Sequence, residues 1–321
     1  MGEMQTIGTW WMWAGFGIFV VAMLALDMFA LGRKGAHKVS AKEALVWSFI
    51  WFSLALLFGG ALWAWLDHTT SREIADAKAM EYLTGYLLEK TLAMDNIFVF
   101  VMLFSYFAVP IEYQKRVLVY GVLGAIILRA LMILLGAWLI AEFHWVLYVF
   151  GAFLLVTGIK MFIFADKEPN LAQNPLLTWL KKHMRITDIY HGDKFWVTKN
   201  GLRWFTPMFL VLILVEFSDV IFAMDSIPAI FAITSDPFIV FTSNIFAILG
   251  LRALYFLLAD MADRFHLLKY GLAVVLMFVG TKMLIVEWFK IPVAVSLAVV
   301  IAVLGISILL SLKSTRPTPS H

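Results

Sequence analysis

Apolar runs long enough to cross a bilayer recur along this 321-residue chain with only short polar breaks between them. A membrane helix needs about 20 predominantly apolar residues to span roughly 30 Å of hydrocarbon. Nine runs meet that length: 10–31, 44–66, 82–108, 118–140, 145–165, 205–229, 237–259, 267–288 and 291–312. With 62% hydrophobic and only 15% charged residues, the chain lacks the polar surface that a soluble fold of this size requires. The expected fold is an all-α membrane protein of about nine transmembrane helices, with the lipid bilayer as its first partner. The first nine residues hold one charge, Glu3, and no Lys or Arg, so the first run is expected to stay in place as an anchor.

Loop charges set the expected orientation. One set of alternate loops, with the tail, carries Arg33, Lys34, Lys38, Lys42, Lys115, Arg116, Lys167, Lys181, Lys182, Arg185, Lys194, Lys199, Arg203, Arg264, Lys269, Lys313 and Arg316. The opposite loops carry only Arg72, Lys78 and Lys290. By the positive-inside rule the N-terminus lies outside and the C-terminus in the cytoplasm of a bacterial inner-membrane protein. Only the loop 166–204 is long. It is expected to hold a short helix around 176–184 and a hairpin across 195–205, because Asn200-Gly201 suits a tight primed turn.

Three short motifs recur in order. Ala93-Met94-Asp95 returns as Ala223-Met224-Asp225, with an acid six residues upstream each time, Glu89 and Asp219. Leu128-Arg129-Ala130-Leu131 returns as Leu251-Arg252-Ala253-Leu254, and Gly158-Ile159-Lys160-Met161 as Gly280-Thr281-Lys282-Met283. A nearly constant offset indicates duplication. The chain then divides into two N-terminal spans (1–81), a first three-helix repeat (82–165), the loop (166–204), a second repeat (205–288), and a last span with its tail (289–321). An odd number of spans per repeat makes the two copies inverted, as in many secondary transporters, whose sites lie where the copies meet.

Six carboxylates fall inside these runs: Asp27, Glu89, Asp95, Glu216, Asp219 and Asp225. Each costs about 2.5–3.5 kcal/mol near the bilayer centre unless it finds a partner. Arg129 and Arg252 are the expected buried counter-ions; Lys160 and Lys282 lie near span ends and can snorkel. That leaves an excess of acid, which a hard divalent cation would neutralise. Asn96 and Asn244 add neutral oxygens, and Met94 and Met224 are softer candidates more simply read as packing. Asp219 and Asp225, six apart, point ~120° apart on a regular helix. Pro228 offers no amide to the Met224 carbonyl and is expected to break that helix and turn Asp225 toward a central site. Phe98 stands at the matching position of the first repeat.

The chain has no cysteine, so disulfides, iron–sulfur clusters and thiolate metal sites are excluded. It carries no Walker loop, GxSxG or HExxH, and its seven histidines show no zinc spacing, so neither an enzyme nor an ATP-driven pump is expected. No prosthetic group and no nucleic-acid partner are implied.

Segments 89–99, 215–230 and 242–253 resemble the signature segments of the TerC family, and the stretch 179–207 is similar to its Alx-like branch. The resemblance covers nearly the whole chain. It implies manganese export, induction at alkaline pH, and, for the wider family, tellurium resistance. Carried over by position, it implies a metal site of Glu89, Asp95, Glu216, Asp219 and Asp225, with Asp27 and Asn96. Two alternatives stay open: a scaffold for a metal-stress resistance complex, whose partners are further copies or other membrane proteins, and a cation/proton antiporter in alkaline pH homeostasis.

Reporter fusions after Lys42, Arg116, Arg185, Asp263 and Lys313 should all read cytoplasmic. A single periplasmic signal among them would overturn the nine-span topology.

Overall fold

The computed structural model describes residues 6–32, 41–143, 145–164, 174–258 and 267–314. The loop positions Arg33, Lys34, Lys38, Lys167, Asp263, Arg264 and Arg316 lie outside that set, as do the side chains of Asp27, Met94, Asp95 and Phe98. The elements in chain order are α1 (Trp10–Gly32), α2 (Ala41–Thr69), α3 (Arg72–Tyr106), α4 (Ile111–Glu142), α5 (Val146–Ile163), α6 (Pro175–His183), β1 (Trp196–Lys199), β2 (Leu202–Phe205), α7 (Pro207–Phe231), α8 (Pro237–Leu249), α9 (Leu251–Leu258), α10 (Leu268–Leu284) and α11 (Val293–Ser314).

Among the described residues, six helical segments are long and apolar enough to cross a membrane: 42–69, 111–142, 146–163, 207–231, 237–257 and 293–313. The remaining three expected runs fall on helices of different character. In α1 (Trp10–Gly32) the fully described part is the apolar stretch Trp10–Leu26. α3 carries Glu89, Lys90 and Asp95 in its middle, and α10 is 17 residues long.

α3 is the axis of the bundle, packing against α2, α7, α8, α9, α10 and α11. α8 is the most enclosed element, with every residue but Phe241 buried. Asp236 caps its N-terminus by accepting from the Phe238 amide at 3.0 Å, and it also accepts from Thr6 and the Ile7 amide, which ties residues 6–7 to that end. Phe16, Phe58, Tyr82, Phe238 and Phe246 interleave to hold α1 and α2 against α3 and α8.

The seventh expected run is two helices, parted at Gly250. A Cβ there would lie 2.6 Å from Lys90 Nζ and 3.1 Å from Trp51 Cβ, so a larger residue would have to push the lysine aside. Lys90 donates to the Ala247 carbonyl at 3.2 Å, in the last turn of α8, where helix carbonyls lack amide partners and the dipole favours a cation. α7, by contrast, runs unbroken through Pro228 and ends three residues later. Near a C-terminus the missing amide costs little, so the break expected beside Asp225 does not interrupt the helix. It lies instead between α8 and α9.

The loop after α5 forms a cap over the end of the bundle where α3 ends and α4 and α7 begin. Leu177 and Leu180 of α6 and Phe195 join the core there. The β1–β2 hairpin turns through Asn200 (φ 52) and Gly201 (φ 73), the positive angles that a primed turn requires. Tyr190 donates to the Phe107 carbonyl at 2.6 Å, and Arg116 pairs with Asp193 at 2.5 Å.

The closest helix pair is α5 with α10. A Cβ on Gly158 would meet the Ala273 carbonyl at 2.9 Å, and one on Gly280 the Gly151 carbonyl at 2.7 Å. Close backbone approach through small residues is the usual basis of membrane helix pairing. Backbone cannot yield, so Gly280→Ala should destabilise the protein by about 1–3 kcal/mol, the usual cost of overpacking. Gly305→Ala, where a Cβ meets nothing, should be neutral. Melting in detergent checks both, and equal melting temperatures would refute the backbone-contact account.

Candidate functional site: a buried arginine among carboxylates

Arg129 projects from α4 into the centre of the bundle and is 1% exposed. Water cannot solvate it there, so the protein must supply acceptors. Its Nη1 donates to Glu89 on α3, to Asn244 Oδ1 on α8 at 3.0 Å and to Ser226 Oγ on α7 at 3.3 Å. Its Nη2 donates to Asp219 Oδ1 on α7 at 3.1 Å. Asn96, one helical stretch beyond Glu89 on α3, donates to the same Asp219 oxygen at 3.4 Å. The two nitrogens of one planar fork thus bridge carboxylates of different helices, a geometry lysine cannot reproduce.

The bridge leaves the acids half used. Glu89 Oε2, Asp219 Oδ2 and Asn96 Oδ1 are buried and have no hydrogen-bond partner. A buried acceptor without a donor costs about 1–3 kcal/mol, so the protein's own side chains leave these oxygens short of donors. Glu216, one turn from Asp219 on α7, is seated on Gly124 of α4: a Cβ at Gly124 would fall within 2.1 Å of its carboxylate oxygens. Its Oε2 is also buried and without a partner. Two carboxylates therefore share one guanidinium, and negative charge is in excess within that bonded group.

Not every expected ligand converges here. Because α7 is continuous, Asp225 keeps its helical offset from Asp219 and lies within hydrogen-bonding reach of Thr157 on α5, away from Arg129. Met224 is half exposed on the outside of α7 and, with Pro228, lines an apolar groove of about 270 Å³ between α4, α5 and α7. Arg252 on α9 is buried at 5%. No three Asp, Glu or His side chains among the described residues stand close enough to chelate a metal by themselves. The donor set at the centre is two carboxylates with amide and hydroxyl oxygens, the hard ligands that suit a hard divalent cation.

Three contributors escaped the sequence reading. Ser226 is buried at 1% and stands at the repeat position of Asn96, so the duplication itself could have revealed it. Gly124 and Thr157 carry no such signal, since their roles depend on which helix faces α7.

A helical bundle of apolar spans around a buried charge network defines a polytopic integral membrane protein. Residues 74–318 match the Integral membrane protein TerC family, and the chain belongs to that family. It is 58% identical over 308 residues to the Alx protein of Salmonella typhi and 57% identical over 308 residues to that of Escherichia coli K12, with 96% of each chain covered in both comparisons. Both relatives carry the description of a proposed membrane-bound redox modulator. A membrane protein of Myxococcus xanthus described as uncharacterized is 48% identical over 320 residues, covering 100% of this chain and 98% of its own. No solved structure matches. These similarities and the apolar spans define a multi-pass protein of the bacterial inner membrane.

Removing one unit of the excess negative charge should relieve the resting site. Asp219→Asn keeps an oxygen for Arg129 while removing a buried charge, so the metal-free protein should melt at a higher temperature than wild type. Arg129→Ala should do the reverse by about 3–5 kcal/mol, since it strands two buried carboxylates. A lower melting temperature for Asp219→Asn would contradict the charge count.

Proposed function

We propose that this protein is a secondary transporter, not an enzyme, that exports a divalent cation, manganese, from the cytoplasm through the buried centre around Glu89 and Asp219. The observation that carries this reading is the set of unpartnered oxygens on Glu89, Asp219 and Asn96, all deeply buried where two carboxylates meet a single arginine. Glu89, Asp219 and Asn96 are the inner ligands. Glu216 and Asp225 lie on opposite flanks of α7, Asp95 shares α3 with Glu89 by backbone position, and Asp27 lies on α1. The metal is cargo, and no prosthetic group is needed. The choice of manganese comes from the family resemblance.

In this reading nine spans place the N-terminus outside, and α3–α5 and α7–α10 are inverted repeats. The packing supports the repeat. The pairing of α3 with α8 is matched by that of α7 with α4, the corresponding helices of the other copy. The close contact of Gly158 with Ala273 is matched by that of Gly280 with Gly151, each residue exchanged for its counterpart 122 positions away. A contact that maps onto itself when the copies are exchanged is what a pseudo-two-fold axis produces. The bridged acids come one from each copy, which supports a site on that axis.

The redox role in the relatives' description finds no thiol here, since the chain has no cysteine. The scaffold alternative differs from the transporter in one measurable respect. Purified protein in proteoliposomes should carry manganese down its gradient. Glu89→Gln and Asp219→Asn should insert normally yet lower that flux by roughly 10²-fold or more, as loss of about 3 kcal/mol of ligand interaction implies. Wild-type flux in both variants would leave the charge cluster structural and favour the scaffold.

A further inference from the structure

The guanidinium and a metal ion cannot share the centre as it stands. Hard divalent cations hold carboxylate oxygens at roughly 2.0–2.6 Å, so Glu89 and Asp219 must close around one point to bind one. In the structure Arg129 keeps them apart, with Nη1 on Glu89 and Nη2 on Asp219, and no chelating group forms among the described residues. Binding therefore requires that Arg129 leave. Its departure would strand a buried positive charge unless another acid received it. One is available: Glu216, on the same helix as Asp219 and packed against α4, the helix that carries Arg129, has a buried oxygen without a donor.

We propose that Arg129 is a tethered counter-ion that fills the site when no metal is bound, that the incoming cation displaces it, and that Glu216 receives it. This rests on the metal-site reading above. It assigns Glu216 a different part from that of a ligand. The charges then close in the loaded state, whereas the resting site keeps negative charge in excess. At rest one guanidinium holds Glu89 and Asp219 together across the two copies. When loaded, the divalent cation neutralises those two acids and Glu216 neutralises Arg129. Asn244 and Ser226 bond the guanidinium in the resting position and, being neutral, can release it at small cost. A resident cation that re-enters on release keeps the empty site from standing open with two adjacent buried negative charges.

The test is manganese titration of the full-length purified protein by calorimetry, with melting temperature as the second readout. Arg129→Gln should bind manganese roughly tenfold more tightly than wild type, within the usual range of a coupling free energy, while its metal-free form melts lower. An arginine needed only for folding would give weaker binding. Glu216→Gln should weaken binding in the wild-type background, because the displaced guanidinium has nowhere to go, and have no further effect in the Arg129→Gln background. Binding by Arg129→Gln no tighter than wild type overturns the proposal. So does an equal loss from Glu216→Gln in both backgrounds, which would make Glu216 a ligand. If Arg129→Gln does not accumulate, Arg129→Lys carries the same test: one ammonium cannot bridge both acids, so tighter binding supports the proposal and equal or weaker binding overturns it. A wild-type protein that binds no manganese overturns the metal site itself, and is distinct from every result above.

Discussion

An arginine buried among helices in hydrocarbon has no cheap alternative to the partners it finds, and Arg129 draws those partners from α3, α7 and α8 at once. Apolar contacts alone would leave these helices free to slide, because lipid is as good a neighbour for leucine as protein is. A planar donor fork with acceptors on three helices fixes depth and rotation together. Moving any one helix by a turn would strand a charge, at a cost of several kcal/mol. The surrounding arrangement follows from that: α8 is enclosed on all sides because it presents Asn244 to the arginine, and Gly124 is bare because Glu216 needs its space.

The outer part of the bundle is held by a different principle. α5 and α10 approach through Gly151, Gly158 and Gly280 until backbone meets backbone, with no charge involved. Polar centre and glycine seam are built by different helix pairs and divide the work. The seam is tight because backbone meets backbone in it, whereas the centre keeps buried acceptors to spare, and the two properties are carried by different residues.

Much of this was legible in the chain. Apolar run length located the helices, and the Asn200-Gly201 pair located the hairpin turn, because in both cases the cause is local: length against bilayer thickness, and left-handed φ at two successive residues. The buried arginine, the acids Glu89 and Asp219, and the amides Asn96 and Asn244 were legible because charged and polar groups inside an apolar run are anomalous wherever they fall. The discontinuity was misplaced for an instructive reason. Proline is a local signal, but its effect depends on distance from the helix end, and Pro228 lies in the last turn. Gly250 carries no strong local signal for the end of α8, since its neighbours Trp51 and Lys90 are distant in sequence. Asp225 was assigned to the centre on the strength of that misplaced break, and the continuous helix turns it toward Thr157 instead.

The broken segment changes how the site is closed off. A helix that ends at Leu249 leaves its last carbonyls without amides, in a region where no water is at hand to satisfy them. Lys90 meets that need at Ala247, and Lys90 directly follows Glu89, the acid that holds Arg129. Adjacent residues on α3 point about 100° apart, so one helix addresses two neighbours, α4 through Glu89 and the end of α8 through Lys90. The contact that holds Arg129 and the contact at the end of α8 are therefore carried by the same turn of α3, and the depth and rotation of that one helix serve both.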